Sequence, residues 1–282
     1  MIIDCHNHIF PPEVIAQREQ YLARDRWFGL LYENPKAGLA TADDLVAEMD
    51  ASGVQMAVAF GFGWADMGLC RAANDYVLEA CRRHPGRIVG FACVQPRAVR
   101  EAVREAKRCW AAGLRGVGEL MPNGQGFSLD DLELLNPLAA ALVGAAAPLM
   151  VHSSEPVGHI YRGKGTVLPQ TLYRLAAHYP ELTLICSHWG GGLPFYELMP
   201  EVRQTLASVY YDTAASLLLY ADQIFPLAAS LLPGKILFGS DFPLLRQGPF
   251  LQRVRASGLG PEALEAILGG NAARLLGLQS AG

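Results

Sequence analysis

The sequence predicts an α/β protein, a (β/α)₈ TIM barrel that folds as a single domain over residues 1–282. Two observations carry this prediction. Eight short apolar runs recur along the chain, and segments with helical periodicity lie between them. After the first unit the runs follow one another at intervals of roughly 25–35 residues, the size of a βαβ unit. Barrels of this kind commonly take about 250 residues, whereas an open, doubly wound sheet is the alternative architecture.

The predicted strands are mostly continuous apolar runs, as expected for parallel strands covered on both faces. They are Ile2–His8, Val54–Phe60, Ile88–Val94, Leu114–Leu120, Leu149–Ser153, Leu182–Trp189, Val209–Ala214 and Lys235–Asp241.

The helices between the strands are predicted from amphipathic segments and capping residues. Leu69–His84 and Arg97–Ala112 alternate charged with apolar residues at helical spacing. Thr41 and Ser128 each precede an acidic residue at an offset of three, which predicts a helix N-cap at both positions.

The segment Pro11–Ala40, after the first strand, contains several aromatic residues but little periodicity. We expect a long β1–α1 loop here. In a barrel such a loop lies on the face where active sites form, and a loop of this length is usually functional. A surface elaboration or a dimer contact is the alternative interpretation.

Composition and charge exclude several classes of protein. The net charge of −4 argues against a nucleic-acid-binding surface, and no stretch of about 20 apolar residues predicts a membrane span. Asp4 and His6 precede any apolar segment, so no secretory signal is expected. The six scattered cysteines predict reduced thiols in a cytoplasmic protein. The mean hydropathy of +0.18 favours a homodimer that hides apolar surface.

Ionisable side chains stand at the C-terminal ends of five predicted strands. They are His6, His8, Glu119, His152, His188 and Asp241. In a barrel these ends converge on one mouth. Each residue alone has a structural interpretation, such as an ion pair of Glu119 with Arg115 or a turn at Asp241. Burying all six without a shared purpose would nevertheless be costly. Imidazoles combined with carboxylates suit Zn²⁺, Mn²⁺ or Fe²⁺, so the sequence predicts a metal site.

Further side chains are predicted to bind a small-molecule substrate. His159, Arg162 and Lys164 lie in the loop after the fifth strand, and their chemistry suits an anionic substrate, with arginine best fitted to a carboxylate. A solvated glycine-rich loop is the alternative there. Trp64, at the end of the second strand, is expected either to line the pocket or to pack in the core.

Six short motifs occur in order and are spread over almost the whole chain. They are Ile3–His8, Val151–Ser153, Ser187–Gly191, Tyr211–Ala214, Leu237–Pro243 and Leu268–Leu276. Together they resemble the amidohydrolase superfamily. The resemblance is closest to the amidohydrolase-related branch that contains aminocarboxymuconate-semialdehyde decarboxylase and related carboxy-lyases and hydrolases.

The resemblance implies a ligand set for the metal. One ion would be held by His6, His8, His152 and Asp241, with His188 binding a second ion or acting as an acid/base. The decarboxylases of the branch have no metal ligand at the end of the fourth strand. A glutamate at that position, Glu119, resembles the hydrolytic branches, in which a fourth-strand carboxylate binds or bridges metals. One ion would then take His6, His8, Glu119 and Asp241, and a second would take Glu119, His152 and His188. The expected ion is Zn²⁺, one or two per chain, with Mn²⁺ as the other candidate.

We therefore expect a metal-dependent hydrolase in which activated water attacks an amide, lactone or ester of a small anionic substrate. Asp241 would bind the metal and accept the proton of that water, and His188 or a second ion would polarise the carbonyl. The alternative is a metal-dependent, non-oxidative decarboxylase of an aromatic or unsaturated carboxylic acid, in which His188 or Asp241 protonates the carbon. A non-catalytic barrel is disfavoured because every expected ligand position is filled.

Overall fold

Eight parallel strands, β1 to β8, lie side by side in chain order in the computed structural model, which describes residues 1–278. Their bounds are Ile3–His8, Met56–Phe60, Ile88–Ala92, Gly116–Leu120, Leu149–Val151, Leu184–Cys186, Val209–Asp212 and Ile236–Leu237. The sheet curls so that the last strand meets the first, where the amide of Cys5 donates to the carbonyl of Phe238 at 2.7 Å. The predicted TIM barrel and its eight strands are confirmed.

Helices surround the strands and cover the barrel core. In order, α1 to α15 are Pro12–Ala16, Arg18–Arg24, Arg26–Tyr32, Ala42–Ser52, Met67–Arg83, Val99–Ala111, Pro122–Gln125, Leu132–Ala145, Pro169–His178, Pro200–Thr205, Ser216–Leu219, Ile224–Leu231, Gln247–Ala256, Pro261–Glu265 and Asn271–Leu276. In the described residues, no helix combines the length and the apolar character that crossing a membrane requires.

One of the two predicted N-caps is correct. Thr41 is the N-cap of α4 and forms a reciprocal pair of hydrogen bonds with Asp44, the geometry expected of a capping box. The prediction for Ser128 is wrong, because the chain makes a turn first and α8 begins only at Leu132. Asp131 is the N-cap there, and its side chain accepts a hydrogen bond from the amide of Leu134 at 3.1 Å.

The segment predicted as a long β1–α1 loop is largely helical, since it contains α1, α2 and α3. These helices are short, and each buries few residues. In α3, Phe28 is fully buried and packs against Phe62 and Trp64. A helix that buries so few side chains leaves little apolar periodicity in the sequence. The prediction of a loop for this segment is therefore wrong.

Several strands end earlier than predicted, and three expected ligands, His152, His188 and Asp241, lie beyond the paired residues. β6 ends at Cys186 and β8 at Leu237. His188 and Asp241 follow them in the left-handed region, with φ of 54° and 69°. This conformation is unfavourable for a residue with a Cβ, and it persists where the surrounding structure enforces it, often at functional sites.

Candidate metal centre

The six ionisable residues predicted at the strand ends meet at the mouth of the barrel. Their ligand atoms form three overlapping groups, within each of which all the atoms lie within 4.8 Å of one another. The groups are His6, His8 and Glu119; Glu119, His152 and His188; and His6, His188 and Asp241. The parallel strands place these side chains together because equivalent ends of the strands open on one face.

Glu119 lies at the middle of this cluster and is almost fully buried, with 1% of its surface exposed. Its Oε2 is 3.8 Å from Nε2 of His6 and 3.7 Å from Nε2 of His8. Its Oε1 is 3.3 Å from Nδ1 of His152 and 3.5 Å from Nε2 of His188. Each carboxylate oxygen therefore faces a different pair of histidines.

The hydrogen bonds around the histidines fix which nitrogen of each ring faces the centre. The outer nitrogen of every ring contacts an oxygen that can only accept, so in the neutral ring that nitrogen carries the hydrogen. The contacts are His6 Nδ1 to Asp212 at 2.9 Å, His8 Nδ1 to the Gly61 carbonyl at 3.1 Å, His152 Nε2 to the Gly163 carbonyl at 3.1 Å and His188 Nδ1 to the Ala214 carbonyl at 3.2 Å. All four inner nitrogens then present lone pairs.

Facing lone pairs at short distance need a cation beside them. The inner nitrogens of His6 and His8 are 3.3 Å apart, and those of His152 and His188 are 3.1 Å apart. Oε1 of Glu119 is buried and has no hydrogen-bond partner within residues 1–278, and leaving such an oxygen unpaired is costly. A divalent metal ion would satisfy the nitrogens and this oxygen together, so the donor set fits a metal.

The electrostatics of the centre also favour a cation. Burial alone would lower the pKa of His6, but the carboxylates of Asp212, Glu119 and Asp241 outweigh burial and raise this pKa to about 10. Burial alone would raise the pKa of Glu119, but nearby imidazoles, chiefly those of His6 and His152, hold it well below its usual range. Glu119 is therefore a carboxylate, and the negative potential that stabilises a proton on His6 would also stabilise a metal ion.

Asp212 belongs to the candidate site, and the sequence analysis assigned it no role. Its Oδ2 accepts the hydrogen bond from His6, and both residues are fully buried. Its Oδ1 accepts from the amides of His188 at 2.9 Å and Ala214 at 3.0 Å. Asp212 thus orients His6 directly and His188 through its backbone. The available signal was its position at the end of β7, level with the other strand ends.

Replacing Asp212 with asparagine is expected to lower metal affinity about 10–100-fold, the usual cost of losing a carboxylate that orients a histidine ligand. The amide keeps the size of the side chain but cannot hold a negative charge beside His6. Titration of the apoprotein with Mn²⁺ in the presence of a competing chelator measures the change. Wild-type affinity in Asp212→Asn would show that this contact does not tune the site.

A cavity of about 580 Å³ opens beside this cluster and is lined by His8, Glu119, His152, His188 and Asp241. Its walls are mainly apolar, with contributions from Trp27, Leu31, Met121, Leu218 and Pro243. Volume and lining are typical of a site for a small organic molecule.

The predicted substrate-binding residues divide into two groups. His159 and Arg162 line the cavity. Lys164 is instead tied to its own loop, because its Nζ donates to the carbonyls of Val157 at 2.7 Å and His159 at 3.1 Å. Trp64 is buried in the aromatic cluster around Phe28, with ring centroids 4.8 Å apart, so packing is the correct interpretation for this residue.

Tyr32 and Lys36 are among the cavity residues that the sequence analysis did not predict. Both lie in the segment read as an irregular loop, where nothing in the sequence pattern indicated which side chains turn inward. Tyr32 packs on Phe28, with centroids 4.7 Å apart.

Comparison with known proteins identifies related chains. The model of the family described as Amidohydrolase matches residues 3–278. A gamma-resorcylate decarboxylase from Rhizobium radiobacter is 25% identical over 224 residues, which cover 67% of this chain and 66% of that protein's length. The chain therefore matches just under two thirds of this curated relative.

Solved structures with the same barrel include two 5-carboxyvanillate decarboxylases. The enzyme from Sphingomonas paucimobilis superposes with a TM-score of 0.80 at 17% identity, covering 99% of both chains. The enzyme from Novosphingobium aromaticivorans, complexed with manganese and a nitrobenzoic acid, gives 0.78 at 19% identity, covering 99% of this chain and 96% of the other. At these identities the likeness supports the fold.

The expectation of hydrolysis as the main reaction is wrong. The curated relatives matched by sequence are decarboxylases, which agree with the alternative reaction and not with attack of water on an amide, lactone or ester. Glu119 favoured hydrolysis in the sequence analysis because it adds a carboxylate to the predicted metal ligands. The set of ligands alone does not determine which bond of the substrate is broken.

Proposed function

Because this chain belongs to the amidohydrolase family, we propose that it is a metal-dependent decarboxylase that removes a carboxyl group from a small aromatic acid. The buried cluster of imidazoles and carboxylates fits metal-dependent chemistry of several kinds. The observation that favours decarboxylation is the similarity to the gamma-resorcylate decarboxylases.

We propose two divalent ions per chain that share Glu119, because its two oxygens face two separate histidine pairs. His6, His8 and Asp241 would complete one position, and His152 and His188 the other. Manganese is the proposed ion in place of the expected zinc, since manganese accompanies the decarboxylase from Novosphingobium aromaticivorans. A bound ion would supply Lewis-acid stabilisation of negative charge on a substrate oxygen.

The protein must deliver one proton to carbon. Decarboxylation breaks the bond between the ring carbon and the carboxyl carbon; the electron pair stays on the ring carbon, which takes up a proton as CO₂ leaves. We assign delivery of this proton to Oδ2 of Asp241, which would first take it up from solvent water. Oδ1 of that residue faces Nε2 of His6 at 3.6 Å and of His8 at 3.7 Å, whereas Oδ2 is 4.0 Å from Nδ1 of His188. Asp241 is one of the residues that line the cavity.

His188 is less suited to deliver that proton. Its Nδ1 donates to the Ala214 carbonyl and its Nε2 faces Glu119 and His152, so both ring nitrogens are engaged. We propose that His188 acts as a metal ligand.

The cavity suggests the kind of acid. Apolar walls would cover the aromatic body, while the charged side chains of the lining outside the metal centre, Lys36 and Arg162, are both cationic. Together with His159 they favour a substrate that carries further negative charge near the rim. Arg162 also pairs with Glu33 at 2.7 Å, so Lys36 is the stronger candidate for that contact.

Two earlier expectations stay predictions. We propose a homodimer, for which exposed apolar side chains such as Ile160, 86% exposed, and Leu198, 69% exposed, offer contact surface. Sedimentation of the purified protein would test this. The cytoplasmic location also stays a prediction.

The proposed reaction is tested with a panel of aromatic acids that includes gamma-resorcylate and 5-carboxyvanillate. We expect Mn²⁺-loaded protein to release CO₂ from at least one of them, and the release to stop after treatment with a chelator and to return with Mn²⁺. Hydrolysis of esters or lactones by the same preparation, without CO₂ from any acid, would contradict the proposal.

A further inference from the structure

His152 differs from the other histidines of the centre in what holds its ring. His6, His8 and His188 donate to groups at or just beyond the ends of β7 and β2. His152 donates to the carbonyl of Gly163, which is 11 residues further along the same surface loop. The orientation of one expected ligand therefore depends on the loop of residues 152–168, which we call the β5 loop.

The contact determines more than the position of the ring. A carbonyl can only accept, so the hydrogen of the neutral imidazole lies on Nε2 and the lone pair on Nδ1. Nδ1 points into the centre, 3.3 Å from Oε1 of Glu119. If the Gly163 carbonyl moved away, the ring would lose the bond that selects this tautomer.

The residue beside Gly163 ties the β5 loop to the neighbouring α3 region. Arg162 pairs with Glu33 at 2.7 Å and also donates to the carbonyl of Leu30 at 3.4 Å. On the other side of Gly163, the ammonium group of Lys164 donates hydrogen bonds to two carbonyls of the same loop. The amide of Gly165 donates to Ser154 Oγ at 2.9 Å. These contacts fix the direction of the Gly163 carbonyl from both sides.

We infer that Gly163, held by the Arg162–Glu33 ion pair, is a positioning element for the metal ligand His152. Contact between the α3 region and the β5 loop then sets the tautomer of a residue at the floor of the cavity. The inference rests on the proposed metal site. It also gives Arg162 a role that does not depend on touching the substrate.

Two glycines of the β5 loop provide a matched pair for the test. Gly163 and Gly158 have similar positive φ, +89° and +92°, so alanine is strained at both. A Cβ at 163 would lie 3.0 Å from Leu31 Cδ2, whereas a Cβ at 158 meets nothing within 4 Å. Of these two glycines, Gly163 is the one whose carbonyl accepts the hydrogen bond from His152.

We expect Gly163→Ala to weaken Mn²⁺ binding about 10–100-fold in a chelator competition and Gly158→Ala to stay within about twofold of wild type. Spectra of ¹⁵N-histidine-labelled apoprotein supply a second readout, in which the signal of a proton on Nε2 of His152 is expected in wild type and in Gly158→Ala but not in Gly163→Ala. Equal Mn²⁺ affinity and unchanged histidine signals in both variants would overturn the inference.

If Gly163→Ala fails to fold, Glu33→Gln tests the same element by removing the ion pair. An exposed pair contributes little, so the expected loss in Mn²⁺ affinity is about two- to fivefold, with recovery in the charge-swapped double variant Glu33→Arg, Arg162→Glu. No loss in Glu33→Gln would count against the inference. Wild-type protein that binds no Mn²⁺ would overturn the proposed function instead, and the histidine signals would still decide this inference.

Discussion

Replacing Asp241 with asparagine is expected to lower the rate of decarboxylation at least ~100-fold, the scale of losing a positioned acid or base. Asparagine matches aspartate in size but has no carboxyl proton to give to the ring carbon. The barrel should remain folded, because the backbone turn at residue 241 is held by the bond from its amide to the carbonyl of His6 at 3.0 Å. The rate constant kcat, the melting temperature and the metal content per chain are measured together.

Asp130 provides the control for this substitution. It is an exposed carboxylate whose oxygens accept from Arg174 at 2.8 Å, and it belongs to none of the residues that line the cavity. Asp130→Asn should leave kcat unchanged. An Asp241→Asn protein that binds metal and turns over at nearly the wild-type rate would be incompatible with the assigned proton transfer.

The second large effect is expected for Glu119→Gln. The substitution removes a fully buried negative charge that faces four imidazoles, and breaking a buried charge pair costs about 3–5 kcal/mol. We expect metal affinity to fall at least ~100-fold and the number of retained ions to fall from two to one or none. Elemental analysis per chain after exhaustive dialysis, with chelator titration, measures both.

Glu105 is a suitable comparison, because it is buried in an ion pair with Arg108 at 2.7 Å on α6, outside the barrel mouth. Glu105→Gln is expected to lower the melting temperature and to leave the ion count at two. Two ions held at wild-type affinity by Glu119→Gln would contradict the bridging role.

The features that the sequence predicted well are those that repeat or align. Apolar runs mark the strands because both faces of each strand are covered, and parallel strands of a barrel bring their ends to one mouth. His6, Glu119 and His152 could therefore be placed together without any knowledge of packing. The same reasoning located His188 and Asp241, although these two residues, like His152, follow the last paired residue of their strands.

The features that it missed depend on contacts between distant segments. The bond from His6 to Asp212 joins residues 206 positions apart, and no local pattern shows which carboxylate orients which ring. Lys164 was predicted to bind an anion because the sequence does not show that its side chain donates hydrogen bonds to carbonyls of its own loop. The burial of Trp64 depends on α3, whose short amphipathic face carried too little signal to be predicted.

The reaction itself could not be derived from the ligand residues. Glu119 in the sequence favours hydrolysis, yet metal-dependent hydrolysis and decarboxylation both use a metal held by imidazoles and carboxylates, and they differ in the bond that breaks. That distinction lies in the substrate and in the placement of the proton donor.

The most direct test of the account is to follow gamma-resorcylate and 5-carboxyvanillate in D₂O with Mn²⁺-loaded wild-type protein, recording CO₂ and the product by mass spectrometry. We predict that at least one acid gives one CO₂ per product molecule, with one deuterium on the carbon that carried the carboxyl group, and that Asp241→Asn forms both at least ~100-fold more slowly. Metal-loaded protein that leaves both acids and a wider set of aromatic acids intact, while it hydrolyses an ester or lactone, would contradict the central claim.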